Sequence, residues 1–198
     1  MYSIVTNDVL VSPATAQELI DWARLDSDDP KIAGTLLVAT RLVISFLSLE
    51  LLPRTYALTY EDWPVIGTFG TSALSPVTHA SKFRVNIPYA NLLSTTSVTV
   101  NGDVLTTDDY KIVKGKPDLI QFNSVGYSTT ENTALQVVYS AGYGATAADI
   151  PAPIIQAILM CSAYIHSHSG GCDTGKAVSD SGAAELLRPY AVMGGLVF

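Results

Sequence analysis

A chain of 198 residues, 48% hydrophobic and only 15% charged, can bury a sizeable core and is lean in charge for a lone soluble domain, so part of its apolar surface is expected to face other subunits. Its net charge of −7 excludes the basic footprint by which proteins neutralise nucleic-acid phosphates, although an acidic wall suits DNA that passes without sticking. Two cysteines, Cys161 and Cys172, make no disulfide framework and read as reduced, intracellular thiols, and the opening MYSIVTNDVLV lacks the basic start and apolar core of a signal peptide.

Residues 1–14 are expected to form an extended arm packed on the first helix. Thr15 and Glu18 have capping-box spacing, so a helix follows over Ala16 to Leu25 with Leu19, Ile20, Trp22 and Ala23 on its apolar face. Asp28 or Asp29 then caps a second helix that begins at Pro30 and runs to Leu52, where Pro53 ends it. The stretch from Ile32 to Leu52 is apolar enough to raise the question of a membrane span. Arg41 at its centre argues against one, since a charge there costs about 2.5–3.5 kcal/mol even on the lenient insertion scale. Gly34, Arg41, Ser45 and Ser48 share a narrow arc, which suits a buried helix with one polar stripe.

From Arg54 the period changes to two. Tyr56, Leu58 and Tyr60 alternate with smaller residues, as on a half-buried strand. Val65 to Lys82 is rich in Gly, Ser, Thr and Pro, without periodicity and long for an inert connection. Phe83 to Pro88 reads as a strand leading into a turn. Asn101-Gly102, between Ser97–Val100 and Asp103–Thr106, asks for a type I′ hairpin. Tyr110–Val113 and Asp118–Phe122 flank Lys114-Gly115-Lys116-Pro117 as a second hairpin, and Ala134–Ser140 is the last strand.

A glycine turn then leads into the best-signalled helix. Asp149 or Ile150 stands at its entrance and Pro151 in its first turn. Ile154, Ile158, Cys161 and Ile165 repeat at helical spacing, with Ile155, Leu159 and Ser162 alongside, until Gly170-Gly171. Ser167 to Gly182 has the composition of a flexible linker, and Ala183 to Phe198 that of an apolar tail that docks somewhere. The predicted fold class is therefore α+β. A small bundle of three main helices (1–53 with 149–168) is interrupted by an inserted antiparallel β module (54–148), then followed by a linker (169–182) and an extended C-terminal docking tail (183–198).

Chemistry finds little foothold. Cys161, His166, His168 and Cys172 follow no zinc spacing, and a buried thiol with helix-end histidines explains them better. No G-x-S-x-G constrains a serine nucleophile. Gly142-Tyr143-Gly144 lacks the lysine of a phosphate loop and reads as a strand-to-helix turn. Asp28-Asp29 and Asp108-Asp109 fit caps and turns. Tyr56, Tyr60, Trp63, Tyr89, Tyr110 and Tyr127 have few basic neighbours, which favours a sheet core or subunit interface over a platform for single strands. No catalytic residue, metal or cofactor is expected.

The order of motifs carries more than any one of them. LDSDDPKI (25–32), RTYALTYEDWP (54–64), FRVNIPYANLLSTTSVTVNGDVLTTDDY (83–110), VVYSAGYG with DIPAPIIQAIL, and ELLRPY near the end follow one another as they do in known connectors. In this the chain resembles the head–tail connector (adaptor or head-completion) proteins of tailed bacteriophages, in the long form with a β insertion. It departs from them at HSHSGG, where an arginine-bearing segment is common, and at 65–82.

The resemblance implies a non-enzymatic virion protein that assembles as a ring, twelve copies by analogy, below the portal protein. The ring extends the DNA channel and presents a surface to the tail or a second connector protein. DNA passes through without specific binding, no membrane is involved, and the protein resides in the host cytoplasm until assembly. On that reading Leu186, Leu187, Arg188, Pro189, Tyr190 and Phe198 are the expected portal anchors. Arg41, Trp63, Phe69, His79 and Tyr89 are the expected contacts to neighbouring subunits or tail. Truncation after Gly182 should then spare the fold. The competing readings are another virion component, such as a tail terminator, and a small zinc- or serine-dependent enzyme.

Overall fold

The Thr15 hydroxyl accepts from the Glu18 amide at 3.2 Å and the Glu18 carboxylate accepts from the Thr15 amide at 2.7 Å, a reciprocal cap that starts helix α1 (Ala16–Ala23). This is seen in a computed structural model that describes residues 2–6, 8–27, 29–60, 84–89, 91–122, 134–168 and 174–192 of an α+β chain. Arg24, in the left-handed conformation, closes α1 short of Leu25. Leu19 is fully buried, but Trp22, expected on the buried face, is 44% exposed.

Helix α2 (Ile32–Leu47) buries Ile32, Leu36, Ala39, Val43, Ile44 and Leu47. It ends at a left-handed Ser48, short of the expected Leu52. Leaving the helix there buries Leu49, Glu50 and Leu51 in succession, which one face of a continued helix would not do, and Glu50 pairs with Arg54. The stripe of Gly34, Arg41 and Ser45 faces outward rather than into the core. Among the described residues no helix is long and apolar enough to cross a membrane.

Helix α3 (Ala152–Ser167) follows a 3-10 turn (Ala147–Asp149) that has its own capping box from Thr146 and Asp149. Ile154, Ala157, Ile158 and Cys161 are completely buried, because α3 packs against α1, α2 and two short C-terminal helices, α4 (Ala177–Asp180) and α5 (Ala183–Leu187). Those two helices correct the expectation of a linker and an extended tail. Ala177, Val178, Ala183 and Leu187 are buried, and the Val192 amide donates to the Leu47 carbonyl at 3.1 Å, so residues 174–192 complete the helical core. Truncation after Gly182 would open that core instead of sparing the fold. Residues 193–198, like the long stretch 65–82, lie outside the described residues.

The β module is two antiparallel sheets. Strands β1 (Tyr2–Val5), β2 (Arg54–Tyr60), β4 (Leu92–Val100), β5 (Asp103–Val104) and β8 (Leu135–Ala141) form one sheet in the order β1-β2-β8-β4-β5. Strands β3 (Arg84–Asn86), β6 (Tyr110–Val113) and β7 (Leu119–Phe122) form the other in the order β3-β7-β6. Asn101 and Gly102 both have positive φ, 52° and 92°, as the type I′ turn between β4 and β5 demands. The N-terminal arm differs from expectation. Its first residues extend the sheet, with Ser3 opposite Thr59, before Leu10 and Ala14 reach the helical core.

The two cores meet at Gly142, whose amide donates to the Asn91 carbonyl, and at Tyr143, whose amide donates to that of Leu51, both at 2.9 Å. A Cβ on Gly142 would lie 2.8 Å from the Leu52 carbonyl carbon and 2.9 Å from the Pro53 nitrogen, contacts with backbone that has no rotamer to yield. Gly142→Ala should therefore cost about 1–3 kcal/mol, read as a lowered thermal midpoint. An unchanged midpoint would mean the modules do not approach this closely.

Candidate functional site

The ionisable side chains buried in this protein are used to join its parts. Glu50 is 1% exposed, and its carboxylate accepts from Arg54 Nη1 at 3.3 Å and from the Tyr56 hydroxyl. Arg54 also donates from Nη2 to the Asp8 carbonyl at 2.8 Å, fixing the arm across the joint, and its guanidinium lies 5.7 Å from the centre of the Tyr56 ring. Burial, and then the bond to Glu50, push the Tyr56 hydroxyl well above the ordinary phenol range, so it stays a neutral donor. The ring of Tyr56 stacks between Tyr89 (5.2 Å) and Tyr139 (5.6 Å), and the Tyr139 hydroxyl donates to the Pro88 carbonyl at 2.7 Å.

A second clamp joins the sheets. Asp118 Oδ2 accepts from the Leu92 amide at 2.8 Å and Oδ1 from the Gly115 amide at 2.9 Å, while the Asp118 carbonyl accepts from the Ile87 amide at 2.9 Å. One residue of the β6–β7 turn thereby holds the start of β4 in the larger sheet and the end of β3 in the smaller. Within the two clusters, among the described residues, Arg54 Nε alone is buried without a hydrogen-bond partner, and the remaining polar atoms serve as structural joints.

The surface carboxyls that titrate unusually accept hydrogen bonds from nearby backbone just before α2, in the 3-10 turn and in the turn before β6. Backbone N–H donation from Lys31, then the side chain of His166 at 2.8 Å, holds Asp29 below the usual carboxylate range. The amide and hydroxyl of Thr146 do the same for Asp149, and the hydroxyl and amide of Thr106 for Asp109. Each binds a proton more weakly folded than unfolded. Their contribution is therefore complete above the unfolded value of 3.8 and is lost as pH falls through the depressed folded values. Thermal melts should be flat with respect to these groups from neutrality down to about pH 5 and fall below about pH 4. Asp149→Asn should lower the neutral-pH midpoint and flatten that acid limb, and an acid limb as steep as in the unaltered protein would remove Asp149 from the account.

The residues singled out from sequence fall in different places. Leu187 is fully buried, so it serves the protein's own core rather than an anchor, and Leu186 and Tyr190 pack half-buried beside it. Arg188 and Pro189 are exposed, and Arg188 pairs with Glu185 at 2.9 Å. Phe198, Trp63, Phe69 and His79 lie outside the described residues. Tyr89 is half-buried and packs against both cores at their joint. Arg41 stands exposed in the middle of α2. Sequence reasoning passed over Glu50 and Asp118. Their signals were an acid four residues before an arginine in an otherwise apolar run, and an acid directly after a Gly-Lys-Pro turn.

Cys161 lies in the helical core, His166 pairs with Asp29, and His168 stacks on Tyr164 at 4.3 Å. Among the described residues no three His, Cys, Asp or Glu side chains come together as metal donors. A shallow open groove runs between α3 and α5, lined by Pro153, Gln156, Met160, Glu185 and Leu186. It holds a single ionisable group and offers no acid–base pair.

The sequence matches no protein-family model and no curated protein. Its fold does resemble solved structures. A chain of the virion of a native gene transfer agent particle is 14% identical with a TM-score of 0.68, each chain covered over 98%. A chain in the neck of the empty particle, computed with C6 symmetry, is 14% identical with a TM-score of 0.67, over 99% of this chain and 98% of that one. A chain in the neck of the native particle, computed with C12 symmetry, is 15% identical with a TM-score of 0.64, over 98% of each. The chain thus shares its α+β fold, end to end, with components of gene transfer agent particles, the neck included.

Proposed function

We propose that this chain is a structural virion protein of the neck, forming a ring below the portal that connects head to tail and lengthens the DNA channel. The observation that carries the reading is the end-to-end correspondence with neck chains, over 98% of their length and at least 98% of its own. The neck structures computed with C6 and C12 symmetry support a closed ring, and we infer twelve copies. The chain's character fits such a part. Its buried charges hold modules together, its surface is acidic enough to let DNA slide, and its helices are poor in charge where subunits would meet.

The portal contact is assigned to exposed Arg188 and Pro189, the half-buried Leu186 and Tyr190, and the tail that ends in Phe198. Leu187 holds α5 in place beneath them. The β module would face the tail side or a neighbouring subunit. Binding of the purified chain to portal rings from the same genome, followed by co-sedimentation, tests the assignment. Deleting residues 193–198 together with Arg188→Glu should abolish co-sedimentation while circular dichroism stays unchanged. Full binding by that variant would remove the C-terminal end from the contact, and no binding by the unaltered chain would remove the portal as partner.

A further inference from the structure

Helix α2 carries one charged residue, Arg41, in sixteen positions, yet half of its circumference is exposed. Leu37 is 41% exposed, Val38 42% and Phe46 39%, beside Ala33, Gly34 and Ser45. The solvent face of a surface helix ordinarily carries charges, and a helix apolar all round is ordinarily covered. Arg41 stands in the middle of this face without an ion pair or hydrogen bond among the described residues.

Its complement lies on α1 of the same chain. Glu18, Asp21 and Trp22 share one arc of that helix at spacings of three and four residues, all exposed, with Asp21 and Trp22 on either side of Glu18. The Glu18 carboxylate is held by Thr15, while Asp21 accepts from Gln17 Nε2 at 2.8 Å. A carboxylate next to an indole binds a guanidinium through charge and cation–π attraction. Arginine and tryptophan are also the side chains most often dominant in interfaces.

We propose that the α2 face of one copy packs on the α1 face of the next, with Arg41 against Trp22 and Asp21 of the neighbouring copy. The contact joins unlike surfaces, so it is heterologous and propagates round a ring instead of stopping at a dimer. This rests on the ring reading above and says which surfaces build it.

Cysteine cross-linking of purified particles tests the contact. In a Cys172→Ser background, Gln17→Cys with Leu37→Cys, which leaves Arg41, Asp21 and Trp22 in place, should give, on oxidation, a ladder of multimers, and each single variant should stay monomeric. Arg41→Glu should lower the copies per particle about tenfold, and adding Asp21→Lys should restore them. Monomers only from the double-cysteine variant, or no recovery by the charge exchange, in particles whose necks still show the ring by electron microscopy, would overturn the proposed surfaces and leave the ring reading standing. Particles that never contain the protein would overturn both.

Discussion

Glu50→Ala is expected to destabilise the protein by about 3–5 kcal/mol, the usual cost of stranding the partner of a buried ion pair. Arg54 is 8% exposed and Tyr56 3%, so neither reaches water when the carboxylate is removed. At about 2–4 °C per kcal/mol for a chain of this size, the thermal midpoint should fall by roughly 10 °C. The pairwise nature of the effect can be separated from simple loss of contact. Replacing Glu50 and Arg54 together by Met should recover much of the loss, because a buried ion pair exchanged for packed apolar side chains is often close to neutral. Recovery will stop short of complete, since the Asp8 carbonyl loses its Arg54 donor and the Tyr56 hydroxyl its acceptor. A midpoint for Glu50→Ala within 2 °C or so of the unaltered protein would show that Arg54 finds solvent and that the joint is not sealed.

Asp118→Ala should cost about 3 kcal/mol or more, because two backbone amides lose a charged acceptor and each such bond contributes about 1.5–3 kcal/mol. Asp118 is 3% exposed, which keeps water from replacing the carboxylate at the Leu92 amide. Lys114 lies 3.4 Å from the same oxygen, but its side chain is 62% exposed, and a pair so open contributes little. Lys114→Ala should therefore change stability by less than about 1 kcal/mol, and Asp118→Asn, which keeps one acceptor oxygen, should fall between the two. Denaturant melts give the energies, and amide exchange at Leu92 and Gly115 gives the location. Unaltered exchange at both amides in Asp118→Ala would separate the stability loss from the clamp.

Much of the architecture could be read from local chemistry. Asn101-Gly102 tolerates the left-handed backbone a two-residue hairpin needs, Thr15 and Glu18 satisfy each other's amides, and Ile154, Ile158 and Cys161 mark one helical face. What escaped was non-local. The Ser- and Gly-rich stretch before Ala183 looks soluble because the residues that bury, Ala177 and Val178, are few and small, and their burial depends on α3 being there to receive them. The arm's pairing with β2 is set across more than fifty residues of chain, which no window sees. Apolarity continuing through Leu49, Leu51 and Leu52 masked the end of α2, because a core turn and a core helix share composition.

The candidate surface was half visible. Arg41 stood out as a charge in an apolar run, but whether its stripe faced core or exterior depended on which side of α2 met α3. Leu187 was misjudged for the same reason. An apolar residue near a chain end can serve its own fold or a partner, and only packing decides.

The most direct test of the neck reading is electron microscopy of lysates from a particle-producing strain that carries an early stop codon in this gene. The reading predicts filled or leaking heads beside separate, complete tails, with tailed particles restored when the chain is supplied in trans. Intact tailed particles from the stop-codon strain would contradict it.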